Sequence, residues 1–206
     1  MIDFYTANSS NGQRVAIMLE ECRLAYTLHK LDLMKGEQRK PAFLRINPAG
    51  AIPAIVDHEA PGDAPLALAQ SGAILLYLAM KTGRFFPLEP ARRAEAFQWL
   101  MHATTDTAAA SMTVFLLGNF TPDKSAANVS YFEDRVVKFL RVADARLADG
   151  KYLAGDDVSI ADFALYPIVV VRAPLVEREG DMRHLERWTK VMAARPGVTR
   201  GMQAAA

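Results

Sequence analysis

The residues of this chain best suited to chemistry stand in two stretches, Asn47 to Asp57 and Gln70 to Leu78, and together they suggest a pocket for a small anionic peptide. Pro53 brings no N–H to a sheet ladder, so it belongs at the first position of a strand or at a bend before one. A cis Ile52–Pro53 bond is one way to make such a bend. The bend leaves the N–H and C=O of Ile52 open to pair with an extended peptide, as one more strand would. Ser71 opens the helically spaced run Ile74, Leu75, Leu78, which marks it as N-cap or first-turn material. A helix start attracts anions through its unpaired N–H groups and the macrodipole. A cap that serves only its own helix is the plainer role for such a serine; its pairing with Pro53 favours the anion site.

The elements that must position these residues divide the chain in two. From residue 1 to about 81, strand-like and helical stretches alternate: Ile2 to Thr6, a helix from Gly12 to Leu24, a strand from Tyr26 to Leu33, a short helix from Pro41 to Ile46, the proline strand, Leu66 to Ala69, and the Ser71 helix. That order implies a mixed sheet with helices on its faces. A turn-rich linker occupies 82–90, and beyond it, over 91–206, apolar residues recur at helical spacing, as in Phe132, Val136, Phe139 and Ala143. Ser159-Ile160-Ala161-Asp162 has the form of a capping box, a structural device with no catalytic role. Arg195-Pro196-Gly197 is a helix stop signal.

Composition narrows the function. Among 206 residues, 51% are hydrophobic, ample for packed cores. A formal net charge of +1 with dispersed basic residues gives no field to hold a phosphate backbone, so nucleic acid is not an expected partner. Phe163 to Val171 is too short to cross a bilayer, and the chain opens without the pattern of a signal peptide; a soluble cytoplasmic protein is expected. His29, His58, His102 and His184 lie apart with no spacing suited to a metal, and no Ser-His-Asp set, phosphate loop or zinc motif can be assembled.

Ile52-Pro53-Ala54-Ile55-Val56-Asp57 and Gln70-Ser71-Gly72-Ala73-Ile74-Leu75-Leu76-Tyr77-Leu78, in this order and separation, resemble the signatures of the glutathione transferase family. The opening Met1-Ile2-Asp3-Phe4-Tyr5, with Ser9-Ser10-Asn11-Gly12 and Lys35-Gly36-Glu37-Gln38, is most similar to the bacterial Nu class. The resemblance implies an α/β thioredoxin-like N-terminal domain with a mixed four-stranded sheet, an all-α C-terminal domain on the second-substrate side, and a homodimer. It implies glutathione as co-substrate, with Ile52 and Pro53 at its cysteinyl unit, Gln70 and Ser71 at its γ-glutamyl end, and Gln38 at its glycine end. Gln70 stands where Nu relatives usually carry glutamate, and Met101 to Met112 replaces their Gly- and Pro-containing pattern.

Redox proteins of the thioredoxin type place a cysteine at the start of the first helix. Here that segment reads Ser9-Ser10-Asn11-Gly12-Gln13-Arg14, so the sulfur must be borrowed. Cys22 shares a face with Val15, Met18 and Leu19 and reads as a packed structural thiol. A glutathione thiol with a pKa of about 8.5 is only a few per cent ionised at neutral pH. Lowering that pKa by about two units takes roughly 2.7 kcal/mol. A helix start supplies about 0.3–1 kcal/mol, whereas a hydrogen bond to a charged group is worth about 1.5–3. A donor must therefore touch the sulfur. The family points to Asn11 and Ser9 ahead of Ser10, while Tyr5, inside the first strand, reads as a sheet residue. The implied activity is glutathione-dependent reduction of a disulfide, conjugation of a small electrophile, or both; the alternative is a binding or assembly module of the same fold without turnover.

Overall fold

The computed structural model describes residues 1–62 and 64–206. Four strands, β1 (Ile2–Thr6), β2 (Tyr26–Lys30), β3 (Ala54–Asp57) and β4 (Leu66–Ala69), form a sheet in the order β2-β1-β3-β4. β1 runs parallel to β2 and antiparallel to β3, and β3 antiparallel to β4, the mixed sheet that the alternation of elements predicts and the thioredoxin-like arrangement that the family resemblance implies. Helices α1 (Ser10–Cys22), α2 (Pro41–Leu44) and α3 (Ser71–Thr82) join the strands. Val15, Ile17, Met18 and Leu19 of α1 are fully buried, as are Phe4, Ile55, Ile74, Leu75 and Leu78. At about 1.5–3 kcal/mol for each large side chain, this core is what fixes α1 and α3 against the sheet.

Helix α1 begins at Ser10, two residues before the expected Gly12. Ser9 is its N-cap, accepting the Gly12 N–H at 3.0 Å, and Arg23 ends it in the left-handed region. Gly12 sits so close to the end of β1 that a Cβ would strike the Thr6 hydroxyl and stand 2.9 Å from the Ala7 carbonyl. β2 is shorter than expected: Leu31 still donates to Thr6 at 2.8 Å, and Asp32 then turns the chain by accepting from the N–H groups of Met34 and Lys35. α2 likewise stops at Leu44 rather than Ile46.

The chain divides into two compact units. Residues 85–192 form one; residues 193–206 pack with 1–84 in the other. Pro196, expected only as a stop, also occupies the first turn of a further helix, where its missing N–H costs nothing. This helix, α10 (Pro196–Ala204), lies against α1. The contact is backbone to backbone at Gly201, where a Cβ would stand 2.5 Å from Ile17 Cα, and Arg195 grips Glu21 through two nitrogens at 3.0 and 2.7 Å.

The second unit is helical throughout its described elements: α4 (Pro90–Met101), a π-helical segment (His102–Thr107), α5 (Ala108–Asn119), α6 (Ala126–Ala148), α7 (Ile160–Val171), α8 (Ala173–Glu179) and α9 (Arg183–Ala193). The capping box at α7 forms as its residue types predict, with the Ser159 N–H donating to Asp162 Oδ2 at 2.9 Å. Asp162 also accepts from the Leu153 N–H and Trp188 Nε1, so the cap doubles as the polar centre of this core. His102 is a satisfied core residue, its Nε2 donating to the Phe139 carbonyl at 3.1 Å and its ring edge-on to Trp99 and Phe139.

Candidate functional site

The expected site residues converge because of the sheet's register. Ala54 pairs with both Tyr5 and Ala69, and Thr6 with Lys30. The end of β1, the end of β2, the start of β3 and the end of β4 therefore share one edge. Ser9, Ser10 and Asn11 follow β1, Gln38 follows β2, Ile52 and Pro53 precede β3, and Gln70 and Ser71 follow β4.

At the start of α1, Ser9 is occupied as an acceptor by the Gly12 N–H and keeps its own proton to donate. Ser10 and Asn11 are the first two helical residues, not part of a turn before the helix. Asn11 Oδ1 accepts from Arg14 Nη1 at 2.6 Å, so its amide NH2 is the end left to meet another group. Tyr5 is a sheet residue, its ring stacked 4.5 Å from His29 and tilted against Phe43, and burial pushes its hydroxyl pKa up. Cys22 is half-buried at the end of α1, where burial raises its thiol pKa.

Before β3, the Ile52–Pro53 bond is cis. The loop leading to it is held by Asn47, whose Nδ2 donates to the Ala51 carbonyl at 2.6 Å and whose Oδ1 accepts the Ala49 N–H. Among the described residues, the backbone N–H and C=O of Ile52 take no hydrogen-bond partner. The same loop lies beside Gln38: a Cβ on Gly50 would stand 3.3 Å from the Gln38 carbonyl. Gln38 Nε2 makes a long contact of 3.5 Å to the Leu33 carbonyl, and its Oε1 is buried without a partner. A buried acceptor in that state lacks a donor that a bound molecule can bring.

Gln70, not Ser71, holds the N-cap position of α3, at φ 71° and ψ 113° and with no side-chain cap bond. A side-chain-bearing residue in this region costs on the order of 1–3 kcal/mol, strain that typically collects at ligand clamps. Ser71 is the first helical residue, 7% exposed, and its Oγ accepts from Arg14 Nη1 at 3.1 Å. α3 is tied to the sheet by Asp57, which accepts from Tyr77 and Lys81; burial works to raise the Asp57 pKa, and these donors more than offset it.

Arg14 is the residue that sequence reasoning missed. Only 1% exposed, it lies beneath both helix starts, and burial pushes its pKa down to about 10, which still leaves it cationic at neutral pH. Its three-residue spacing puts it within reach of Asn11 on α1 but does not reveal that the side chain is buried.

The arrangement offers open backbone for an extended segment, hydrogen-bond donors at two separate places for anionic groups, and a buried cation behind them. Family models for the glutathione S-transferase N-terminal and C-terminal domains match residues 8–81 and 103–196. The chain is 41% identical over 170 residues to the disulfide-bond oxidoreductase YfcG of Escherichia coli K12, covering 82% of this chain and 79% of that protein. It is 34% identical over 219 residues to the disulfide-bond oxidoreductase YghU of the same organism, covering 97% and 73%. Its fold matches, at TM-score 0.91 and 33% identity, a glutathione transferase family member from Pseudomonas fluorescens with two glutathione bound, covering 98% of this chain and 92% of that one. A glutathione transferase from Pseudomonas putida with one glutathione disulfide bound per subunit matches at 0.89 and 32%, covering 98% and 90%. By sequence and by fold, the chain belongs to the glutathione transferase family.

Proposed function

We propose that this protein binds glutathione along Ile52 and works as a glutathione-dependent disulfide oxidoreductase, with conjugation to small electrophiles as the broader activity it shares. The observation that carries the reading is the gathering, at one sheet edge, of open Ile52 backbone with the donors of Asn11 and Ser71, where a redox protein of this fold would carry its own cysteine. Bound glutathione supplies the thiol that this helix start lacks, and its ionised form exchanges with a disulfide sulfur. Asn11 and Ser9 hold the negative charge of the thiolate through N–H and O–H donors, with Ser10 beside them. Ser71 takes the γ-glutamyl carboxylate, and the Gln70 amide oxygen faces the neighbouring ammonium group. Pro53 sets the backbone of Ile52, and the buried Gln38 oxygen accepts the amide N–H of the glycine unit.

The names of the two Escherichia coli relatives and the glutathione disulfide held by the Pseudomonas putida relative support the disulfide reaction over conjugation. We further assign the protein to the cytoplasm as a homodimer; the exposed apolar side chains of Met112, Phe115 and Leu116 on α5 suit a partner subunit. The functional test measures glutathione-dependent reduction of a small mixed disulfide beside conjugation of an aryl halide. A dominant conjugation rate overturns the reductase assignment, and calorimetric binding of glutathione without either reaction reduces the protein to a binding module.

A further inference from the structure

We infer that Arg14 is a positioning residue that turns Asn11 and Ser71 into hydrogen-bond donors and so couples the thiol end of the site to its carboxylate end; the inference rests on the function proposed above.

A side-chain amide and a hydroxyl can each donate or accept, so neither is by nature an anion site. A guanidinium only donates. Arg14 Nη1 reaches Asn11 Oδ1 at 2.6 Å and Ser71 Oγ at 3.1 Å, bridging α1 and α3 across 57 positions of sequence. Each bond takes up an acceptor face of its partner. What Asn11 then presents is its NH2, and what Ser71 presents is its O–H. Both are the polarity that a thiolate and a carboxylate require. Donation from a cation also polarises the groups beyond it, and within a buried setting that strengthens their outward hydrogen bonds. Because one nitrogen serves both ends, an anion settling at Ser71 favours the orientation of Arg14 that holds Asn11.

The test uses full-length Arg14→Met, which removes charge and donors but keeps length in a buried position, a kind of exchange that cores often tolerate. Two quantities are read on folded protein, checked by its melting transition: the dissociation constant for glutathione by calorimetry, and the pKa of the bound thiol from its ultraviolet thiolate absorbance. Arg14→Met is expected to raise the bound thiol's pKa by about one unit or more and to weaken glutathione binding about tenfold or more. In an Asn11→Ala background the pKa effect of Arg14→Met is expected to vanish, because Arg14 acts on the sulfur through Asn11. Arg14→Lys keeps a charge and donors on a different frame and recovers part of both losses; should Arg14→Met fail to fold, Arg14→Lys must still move both quantities in the same direction. Unchanged values in the folded variants, or effects of Arg14→Met and Asn11→Ala that add in full, overturn the inference. A wild-type protein that takes up no glutathione overturns the proposed function and this inference together, whereas wild type with a lowered thiol pKa and an indifferent Arg14→Met overturns only the latter.

Discussion

Ser71→Ala separates the two duties of one hydroxyl. Ser71 Oγ is an acceptor for a nearly fully buried guanidinium at 3.1 Å. Its removal leaves Arg14 one acceptor short, at a cost of about 1–3 kcal/mol. For a chain of this size each kcal/mol moves the melting temperature by about 2–4 °C, so a fall of about 2–12 °C is expected. In the complex, the variant also loses an O–H donor to the γ-glutamyl carboxylate. A hydrogen bond to a charged group is worth about 1.5–3 kcal/mol, which corresponds to a roughly tenfold to 150-fold weaker dissociation constant for glutathione. Turnover at saturating glutathione is expected to fall less than affinity, since the donors assigned to the sulfur lie at the start of α1 and Ser71 reaches them only through Arg14. Calorimetry for the affinity, thermal unfolding for the stability and a kcat-against-KM comparison read the three effects separately. A loss of kcat with unchanged affinity would refute the placement of the carboxylate at Ser71. An unchanged melting temperature would refute the weight given to the Arg14 bond.

Two further outcomes concern the scaffold. Gly201→Ala places a Cβ against the backbone of Ile17, which has no flexible end to move aside. Forcing α10 off α1 is expected to cost about 1–3 kcal/mol in urea unfolding, and a neutral result would mean that the helices are not in backbone contact. Asp57 has a folded-state pKa held below its ordinary value by Lys81 and Tyr77 against the opposing effect of burial. Its contribution to stability is thus present above the unfolded value of about 3.9 and is lost as pH falls through the lower folded value. The urea midpoint should drop on acidification below pH of about 4, and Asp57→Asn should flatten that part of the profile; an unflattened profile would assign the acid sensitivity to other carboxylates.

The parts of this molecule that were legible in its sequence are those where local chemistry and tertiary placement agree. The alternation of elements, the Ser159 capping box and the helix behind Ser71 follow from periodicity and hydrogen-bond inventory alone. The sequence predicts a helix beginning at Gly12; the Ser9 cap pulls Ser10 and Asn11 into it, so the boundary lies two residues earlier. Arg14 was illegible because arginine in a helix usually signals a solvated face, and only the fold decides that this one lies under two helix starts. The same holds for α10. Its glycines look like breakers, yet on the folded chain they are the gaps that let α1 approach. Pro196 gave a true signal of a helix boundary, but the start of a new helix and the end of an old one look alike at that residue.

The choice between Ser9 and Asn11 as the main partner of the sulfur can be argued from what each already does. Ser9 spends its acceptor on the Gly12 N–H and has one proton left, backed by a neutral backbone group. Asn11 has two amide protons left, backed by a cation at 2.6 Å, and is therefore the stronger donor. An isosteric change at this position turns that argument into opposing signs. Asn11→Asp would pair a carboxylate with Arg14, which should stabilise the ligand-free protein, because a buried guanidinium bonds a charged acceptor more strongly than an amide. The same carboxylate has no proton to offer the thiol and adds a like charge, so the bound thiol's pKa should rise further than in Asn11→Ala. A higher melting temperature together with a less acidic thiol is a combination that a merely structural Asn11 would not produce. An unchanged thiol pKa in both Asn11→Ala and Asn11→Asp would place the sulfur beyond the reach of residue 11 and return the role to Ser9.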